Sequence, residues 1–565
     1  MADVYTIERF MMKKMLFAAI AAALFSGAMF ASTVPKVKKQ LPFSKGVNLP
    51  VWMEYGKFNT LLYGKKDFEN LKSIGVEAVR IPVWFDVWAD KNNDYKLDSE
   101  CFEMLDKAIA WGEELGLYII LDFHNDCSGA SQTNPRIENV LLKIWPQIAE
   151  RYKSKGGVVI YEVMNEPHFE SGNMQADISK WGKVQGKVLQ AIRAIDKKHS
   201  IIVGGGYWDS LDSMLKLPFY KDDNLIYNFH DYTPFLFTHQ GASWTFSKRI
   251  KNVPFPYVKE RMPPLPPNAT DAEKWEINNY KEDSAEKTLA SPLDKAVEFA
   301  NKRNAALMCN EFGVLMTYAD PEERANWYRM KCKWMDERGI ARLSWDYTQE
   351  FGLYKSPQES RFPDDLNRQV IEAMGYKYPS AAKSETWFSR AVKNNDYTIY
   401  KDGSADLIRV QSWSAQGSLA ASENDSNERF IELKDLKPYD ELLFQFKEAC
   451  DFTRLFDQNA KLEFYAKSLD KKFDITVYFR DMEAKIFPWR ASTIVTTDDV
   501  KPDGYWHKVS IPLKTLKDVG GWTPQTNWRV SEGKFSWTLV DALVIQNNNH
   551  RSQNGYAIKD IKLVH

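Results

Sequence analysis

The chain of 565 residues has no apolar run long enough to cross a membrane and no excess of either charge. A spanning helix needs about 20 consecutive apolar residues, and the longest candidate, Met15 to Phe25, is roughly half that. Lys+Arg number 75 against 76 Asp+Glu, so nothing in the charge balance argues for nucleic acid or an anionic membrane as partner. Cysteine is scarce. The five present (Cys101, Cys127, Cys309, Cys332, Cys450) cannot all pair within the chain, and they have neither CxxC nor metal-ligand spacing. Their scatter predicts mostly free, buried thiols. No HExxH or clustered ligand pattern occurs, so no metal and no other cofactor is expected. The first apolar strand is followed by Leu49-Pro50-Val51-Trp52, which is not the glycine-rich phosphate turn of a doubly wound nucleotide-binding sheet.

What is present begins with an address. Lys13-Lys14 precede the short apolar run, and Ser26-Gly27-Ala28 and Phe30-Ala31-Ser32 follow it. That order predicts a secretory signal over residues 1–31, with Met11 or Met12 as the true start, and a product outside the cytoplasm, in the periplasm or the medium. No cysteine precedes Cys101, so no lipid anchor is expected near the cleavage site. Aromatic residues make up 14% of the chain, with 19 Trp and 26 Tyr. Cores use aromatics heavily, and sugar rings stack on them; the count alone serves both readings.

After a short segment (32–42), buried-strand patterns alternate with amphipathic helical ones over residues 43–377. Eight apolar runs recur: Gly46–Leu49, Ala78–Val83, Leu117–Phe123, Val158–Met164, Ile201–Gly204, Leu225–His230, Ala306–Asn310 and Ala341–Trp345. Helical stretches separate most of them, the faintest being Ser210–Leu217 after the fifth run, and one is read as starting at Pro292. Eight such units predict an α/β fold, a closed (β/α)₈ TIM barrel. A proline-rich insertion (233–291) breaks the rhythm after the sixth strand, where a lid or binding wall is expected on the active-site face. Residues 378–384 read as a linker. From 385 to 565 period-two patterns dominate, predicting an all-β sandwich of jelly-roll type.

Catalytic side chains of such barrels project from the carboxyl ends of the strands. Taken in order, those ends carry Arg80, His124, Asn165-Glu166-Pro167, His230 and Tyr232, Glu311, and Trp345. Glu166 and Glu311 follow the fourth and seventh strands, which face one another across the ring. A pair of carboxyl groups so placed suits glycoside hydrolysis, one protonated to serve the leaving oxygen and the other ionised. Arg80 is the cation that would keep one of them ionised. Singly, each residue has an ordinary structural explanation: a satisfied strand-end Arg or His, or a packed Trp. The ordered set of all of them does not.

That ordered set resembles glycoside hydrolase family 5, over roughly Phe43 to Tyr376. The resemblance implies Glu166 as acid/base and Glu311 as nucleophile in a retaining double displacement, with Arg80 and Tyr232 steadying Glu311. It also implies that Asn165 holds the 2-hydroxyl of the sugar being cleaved, that His124 and His230 line the same subsite, and that Trp345 is its stacking floor. Thr238-His239-Gln240-Gly241-Ala242-Ser243-Trp244 looks like cellulase-type members, which points to endo-acting cleavage of β-1,4-glucan, with Trp244 among the substrate-binding residues. Mannan, xyloglucan, xylan, mixed-linkage glucan and β-1,3-glucosides stay open as substrates, as does a non-catalytic polysaccharide-binding barrel. The expected partner is the polysaccharide, and the expected state is a monomer. Trp52, Trp84, Trp88, Trp208 and Trp244 are each either core or sugar platform. The sandwich resembles carbohydrate-binding modules in outline, with Trp413, Trp489, Trp522 and Trp528 as candidate platforms and Trp506 as core.

Overall fold

The computed structural model describes residues 34–54, 62–124, 132–356, 362–379, 390–392, 396–402, 408–412, 416–421, 428–481, 487–523 and 527–565. The signal stretch, Cys127, Trp413 and most of the linker lie outside the described residues. Eight parallel strands close into a barrel in sequential order: β1 (Lys45–Asn48), β2 (Ala78–Val83), β3 (Tyr118–Phe123), β4 (Val159–Glu162), β5 (Ser200–Gly204), β6 (Leu225–His230), β7 (Ala306–Glu311) and β8 (Ala341–Ser344). The helices are α1 (Lys65–Ser73), α2 (Ser99–Leu115), α3 (Ile137–Tyr152), α4 (Met174–Ile195), α5 (Leu211–Met214), α6 (Phe235–Thr238), α7 (Asp271–Asp283), α8 (Glu286–Lys302), α9 (Pro321–Arg338) and α10 (Arg368–Ala373).

The strand period of two sorts side chains into layers. Ala78, Ile120, Ile160, Ile202, Ile226, Met308 and Leu343 form an apolar cluster that fills the barrel. Their neighbours Val79, Ile81, Val83, Ile119 and Leu121 belong instead to the larger cluster shared with the helices. Two residues after five of these seven side chains the next inner position is polar: Arg80 after Ala78, Asp122 after Ile120, Glu162 after Ile160, Asn228 after Ile226, and Asn310 after Met308. All five are buried. The barrel is thus apolar below and polar above, and the polar layer is the base of the site.

Helix ends follow local chemistry. Asp98 accepts from the Glu100 amide to start α2, and Gly116 ends it in the left-handed region (φ 66). Asp320 caps α9, with Pro321 in the first turn. Two readings of the sequence need correction. The helix read from Pro292 begins at Glu286, with Pro292 inside it. The insertion also contains a helix, α7, which the proline-rich reading missed. Thr270 and Glu273 start α7 with a reciprocal capping box, and Tyr280 anchors it by donating to the Pro254 carbonyl at 2.6 Å.

The C-terminal residues form two facing sheets of eight and six strands, around their own core of Leu442, Phe444, Phe464, Val477, Leu543 and Ile558 among others. Arg429 of this sandwich reaches across to α2, pairing with Glu100 and, at 3.5 Å, with Glu103. Cys309 and Cys332 are buried free thiols, and Cys101 and Cys450 are buried as well. Among the described residues no helix is long and apolar enough to cross a membrane.

One buried pair ties the outer helices to the site. Lys331 of α9 is fully buried and donates to both Asp231 oxygens (2.8 and 2.7 Å) and to Thr233 Oγ1 (2.8 Å). It thereby fixes the chain on either side of Tyr232. Removing one partner of a buried pair leaves an uncompensated charge, a loss of about 3–5 kcal/mol. Lys331→Met should therefore lower the stability of the barrel by about that amount in urea unfolding of the full chain. A loss below about 1 kcal/mol would mean that the pair does not hold the segment.

Candidate active site

At the centre of the polar layer lies Arg80, fully buried. Its Nε and Nη2 donate to the two oxygens of Glu162 at 2.7 and 2.9 Å. Nη2 also meets Asp122 Oδ2 at 2.9 Å and Asn165 Oδ1 at 2.8 Å. Nη1 donates to Glu311 Oε1 at 2.7 Å and to Asn48 Oδ1 at 3.0 Å. A guanidinium presents its donors in a rigid fork, and here the whole fork is taken, by residues from the ends of β1, β3, β4 and β7. Tyr232 donates to the other Glu311 oxygen at 3.0 Å. Both Glu311 oxygens are therefore fixed.

His230 stands between the two glutamates. Its Nδ1 lies 2.7 Å from Glu166 Oε1 and 3.5 Å from Glu311 Oε2. One oxygen of each glutamate and the imidazole nitrogen all lie within 4.8 Å of one another. His124 Nδ1 is 2.6 Å from Asp122, its Nε2 is 3.9 Å from Glu54, and its ring stacks on Trp345 with centroids 5.4 Å apart and planes within 7°. The structure thus brings together Arg80, His124, Asn165, Glu166, His230, Tyr232, Glu311 and Trp345. Trp244 stands apart from this network, 61% exposed. Two residues before it, Ala242 packs with Leu315 and Phe351 against Tyr232 and Trp345, so the first part of the insertion does border the site.

The charges here set one another. Burial raises the Glu311 carboxyl, but His230, Arg80, His124 and the Tyr232 hydroxyl outweigh it and hold it below the usual carboxylate range. Burial lowers the His230 imidazole, yet Glu311, Glu166 and Asp209 push it up to about 10. In the same way burial lowers His124, and Asp122 and Glu54 push it up to about 9. Glu162 and Asp209 are both raised, chiefly by burial. Two groups are close enough to hold a cation, Glu162 with Asp209 and His230, and Glu166 with His230 and Glu311. Both include an imidazole that carries positive charge up to about pH 10, and Arg80 already neutralises Glu162 and Glu311, so the donor sets do not suit a metal.

Sequence reasoning missed Asn48, Asp122, Glu162 and Asp209. Three of these were legible in period. Asp122 lies one residue before the end of β3, and Glu162 and Asn48 end β4 and β1, each two positions after an inner apolar residue or at the strand's last position. Of the tryptophans offered as platforms, Trp52 and Trp88 are buried in the core; Trp52 stacks on Trp111 and the Trp88 indole donates to the Met53 carbonyl. Trp489 is buried too, 4.6 Å from the Phe487 ring centroid, and is packing rather than platform. Trp506 is half-buried, against Phe430 at 5.3 Å and Lys559 at 4.7 Å. Trp208 is exposed, with His168 stacked on it. Trp522 and Trp528 are exposed and lie directly opposite one another on a hairpin.

The raised imidazoles give a pH signature. Both histidines bind a proton more tightly in the folded chain than at the ordinary value of 6.5. Their contribution to stability is complete below about pH 6.5 and is lost as pH rises through about 9 and 10. The melting temperature should fall over that window, and His124→Gln should make the fall shallower. An unchanged slope in the variant would refute the assignment.

The chain is similar to known proteins over both of its parts. Residues 41–351, more than half of the chain, match the model described as cellulase (glycosyl hydrolase family 5), and residues 396–565 match carbohydrate binding domain 30. Endoglucanase C of Acetivibrio thermocellus is 28% identical over 335 residues, 56% of this chain and 95% of that protein. Endoglucanase 3 of Fibrobacter succinogenes is 28% identical over 354 residues, 59% of this chain but only 54% of that protein, so the chain spans about half the length of that relative. A solved endoglucanase of the hyperthermophilic Thermotoga maritima is 25% identical, covering 59% of this chain and 96% of that one at a TM-score of 0.48. By the match over its barrel, the chain belongs to glycosyl hydrolase family 5.

Proposed function

We propose that the chain is a secreted, retaining endo-β-1,4-glucanase whose sandwich domain holds the polysaccharide. The observation that carries this reading is the pair Glu166 and Glu311, with oxygens within 4.8 Å of one another and His230 between them. Retention calls for carboxyl groups about 5–5.5 Å apart, inversion for roughly 6.5–9.5 Å, and the pair favours the shorter span. Glu311, held ionised by its cations, attacks the anomeric carbon as the glycosidic C–O bond breaks. The Glu166 proton passes to the departing oxygen. Glu166 then takes a proton from water as that water's oxygen bonds to the anomeric carbon and frees Glu311. With its oxygen taken by Arg80, Asn165 has its amide nitrogen as the donor for a sugar hydroxyl. Trp345, backed by the His124 ring, offers a flat floor for the sugar.

The relatives named as endoglucanases support glucan as substrate. Mannan, xylan, xyloglucan and mixed-linkage glucan are the alternatives to test. On such a panel the wild type should cut cellulosic glucan best, releasing the β-anomer first by NMR. Glu166→Gln and Glu311→Gln should each lose about 100-fold or more. No cleavage of any polymer would refute the enzyme reading, and full activity in either variant would refute that residue's role.

For the sandwich, the exposed pair Trp522 and Trp528 is the candidate platform. In a Glu166→Gln background, which leaves the polymer intact, Trp522→Ala or Trp528→Ala should weaken retention on insoluble cellulose up to about tenfold, the worth of one aromatic contact. Retention untouched by either change would leave the sandwich as a packing domain, or place its platform elsewhere.

A further inference from the structure

The turn after β5 does more than connect it to α5. Asp209, fully buried there, accepts the backbone N–H of Glu166 at 2.8 Å. Glu166 has φ 44, a left-handed backbone that non-glycine residues adopt only when the surroundings enforce it. Asp209 and Trp208 are left-handed too, at φ 46 and 52. This tight turn swings the Asp209 carboxylate back over its own strand, against Gly204. A Cβ at position 204 would lie 2.0 Å from Asp209 Oδ1, so the strand end is shaped to admit this side chain.

Asp209 also reaches the second neighbour of Glu166. Its carbonyl accepts the His230 backbone N–H at 2.8 Å, and its Oδ2 lies 3.8 Å from His230 Nε2. The opposite nitrogen of that ring is the one 2.7 Å from Glu166 Oε1. One buried carboxylate therefore holds the backbone of Glu166 directly and faces the far side of the ring that holds its side chain.

We propose that Asp209 is the positioning residue of Glu166: it fixes the left-handed backbone and the His230 ring that together aim the Glu166 carboxyl at the glycosidic oxygen. The inference rests on the reading of Glu166 as acid/base, and it places the β5 turn, far from Glu166 in sequence, in control of proton delivery. Asp209 touches no reacting atom. Its removal should affect the steps that need the Glu166 proton and spare those that do not.

The test compares two cellobiosides in the full-length chain, one with a 2,4-dinitrophenyl leaving group, which departs without protonation, and one with an unactivated phenyl group, which needs it. Asp209→Ala should lower kcat/KM for the phenyl substrate by about 100-fold, the typical worth of a positioned acid, with KM nearly unchanged. It should leave kcat/KM for the dinitrophenyl substrate within about threefold of wild type. Azide, which needs no general base, should raise the variant's kcat on the dinitrophenyl substrate by forming the glycosyl azide. Asp209→Asn keeps an oxygen for the Glu166 amide and should recover most of the loss. Equal losses on both substrates, or none on either, would overturn the proposal. Crystal structures give a readout independent of catalysis. Glu166 should leave positive φ in Asp209→Ala and keep it in Asp209→Asn, and a Glu166 unmoved in both would overturn the proposal even if the wild type cut neither cellobioside. That last result in the wild type would instead count against the glucanase reading.

Discussion

Everything at the barrel mouth depends on one buried cation. Arg80 lies out of water with Asp122, Glu162 and Glu311 around it, and taking an ion out of water costs several kcal/mol even after relaxation. Such a charge persists only if its hydrogen bonds and counter-charges are nearly complete, as they are here. The same completeness fixes geometry. A guanidinium fork filled by acceptors from the ends of β1, β3, β4 and β7 cannot shift without breaking several charge-assisted bonds at once. The strands are thereby held in register at the level where the chemistry lies, and the apolar layer below supplies the rest of the barrel's cohesion.

From that centre the structure divides its work. The polar layer (Asn48, Asp122, Glu162, Asn228, Asn310) is contributed by strand residues and is rigid. The upper layer (His124, Glu166, His230, Tyr232, Trp345) lies at strand ends or just beyond them, held by the layer beneath and by outer contacts such as Lys331 with Asp231. The insertion that begins at residue 233 borders the site through Ala242 and then leaves it, folding as α7 onto the outer ring. A strand-fixed floor with loop-built walls allows polymer preference to vary without touching the reacting groups.

Much of this was legible in the chain, for identifiable reasons. All eight strands lie on the apolar runs of four to seven residues, and most of these runs contain or meet a polar group at the carboxyl end, because that junction is the physical boundary between barrel core and site. The helix α7 was obscured by the prolines before it and by its polar composition, with only Glu273 and Tyr280 buried; its one clear signal was Thr270-x-x-Glu273. Trp489 and Trp522 look alike in sequence, since both sit in strands of one sheet. Only packing separates the ring that meets Phe487 from the ring left exposed. Asp209 was invisible because its partners are 43 residues before it and 21 after it, and nothing local in Tyr207-Trp208-Asp209-Ser210 announces a carboxylate turned inward.

The two glutamates end in opposite electrostatic situations although both are carboxyls at strand ends. Glu311 is buried and held at both oxygens, with Arg80, His124 and His230 supplying positive charge. A carboxylate in that setting stays ionised and is aimed, which is what the nucleophile role proposed for it needs. Glu166 is about a quarter exposed at its side chain, touches His230 through one oxygen, and is held otherwise by its backbone. It has one cation where Glu311 has three, and more water. On the proposed reading Glu166 must give up a proton and then take one back, a task for which a cage of fixed cations would be unsuited. The asymmetry follows from where the guanidinium reaches: at β7 it meets Glu311 itself, whereas at β4 it meets Glu162 and Asn165 and leaves the Glu166 carboxyl to the imidazole. On that reading the placement of one arginine separates the roles proposed for two identical side chains.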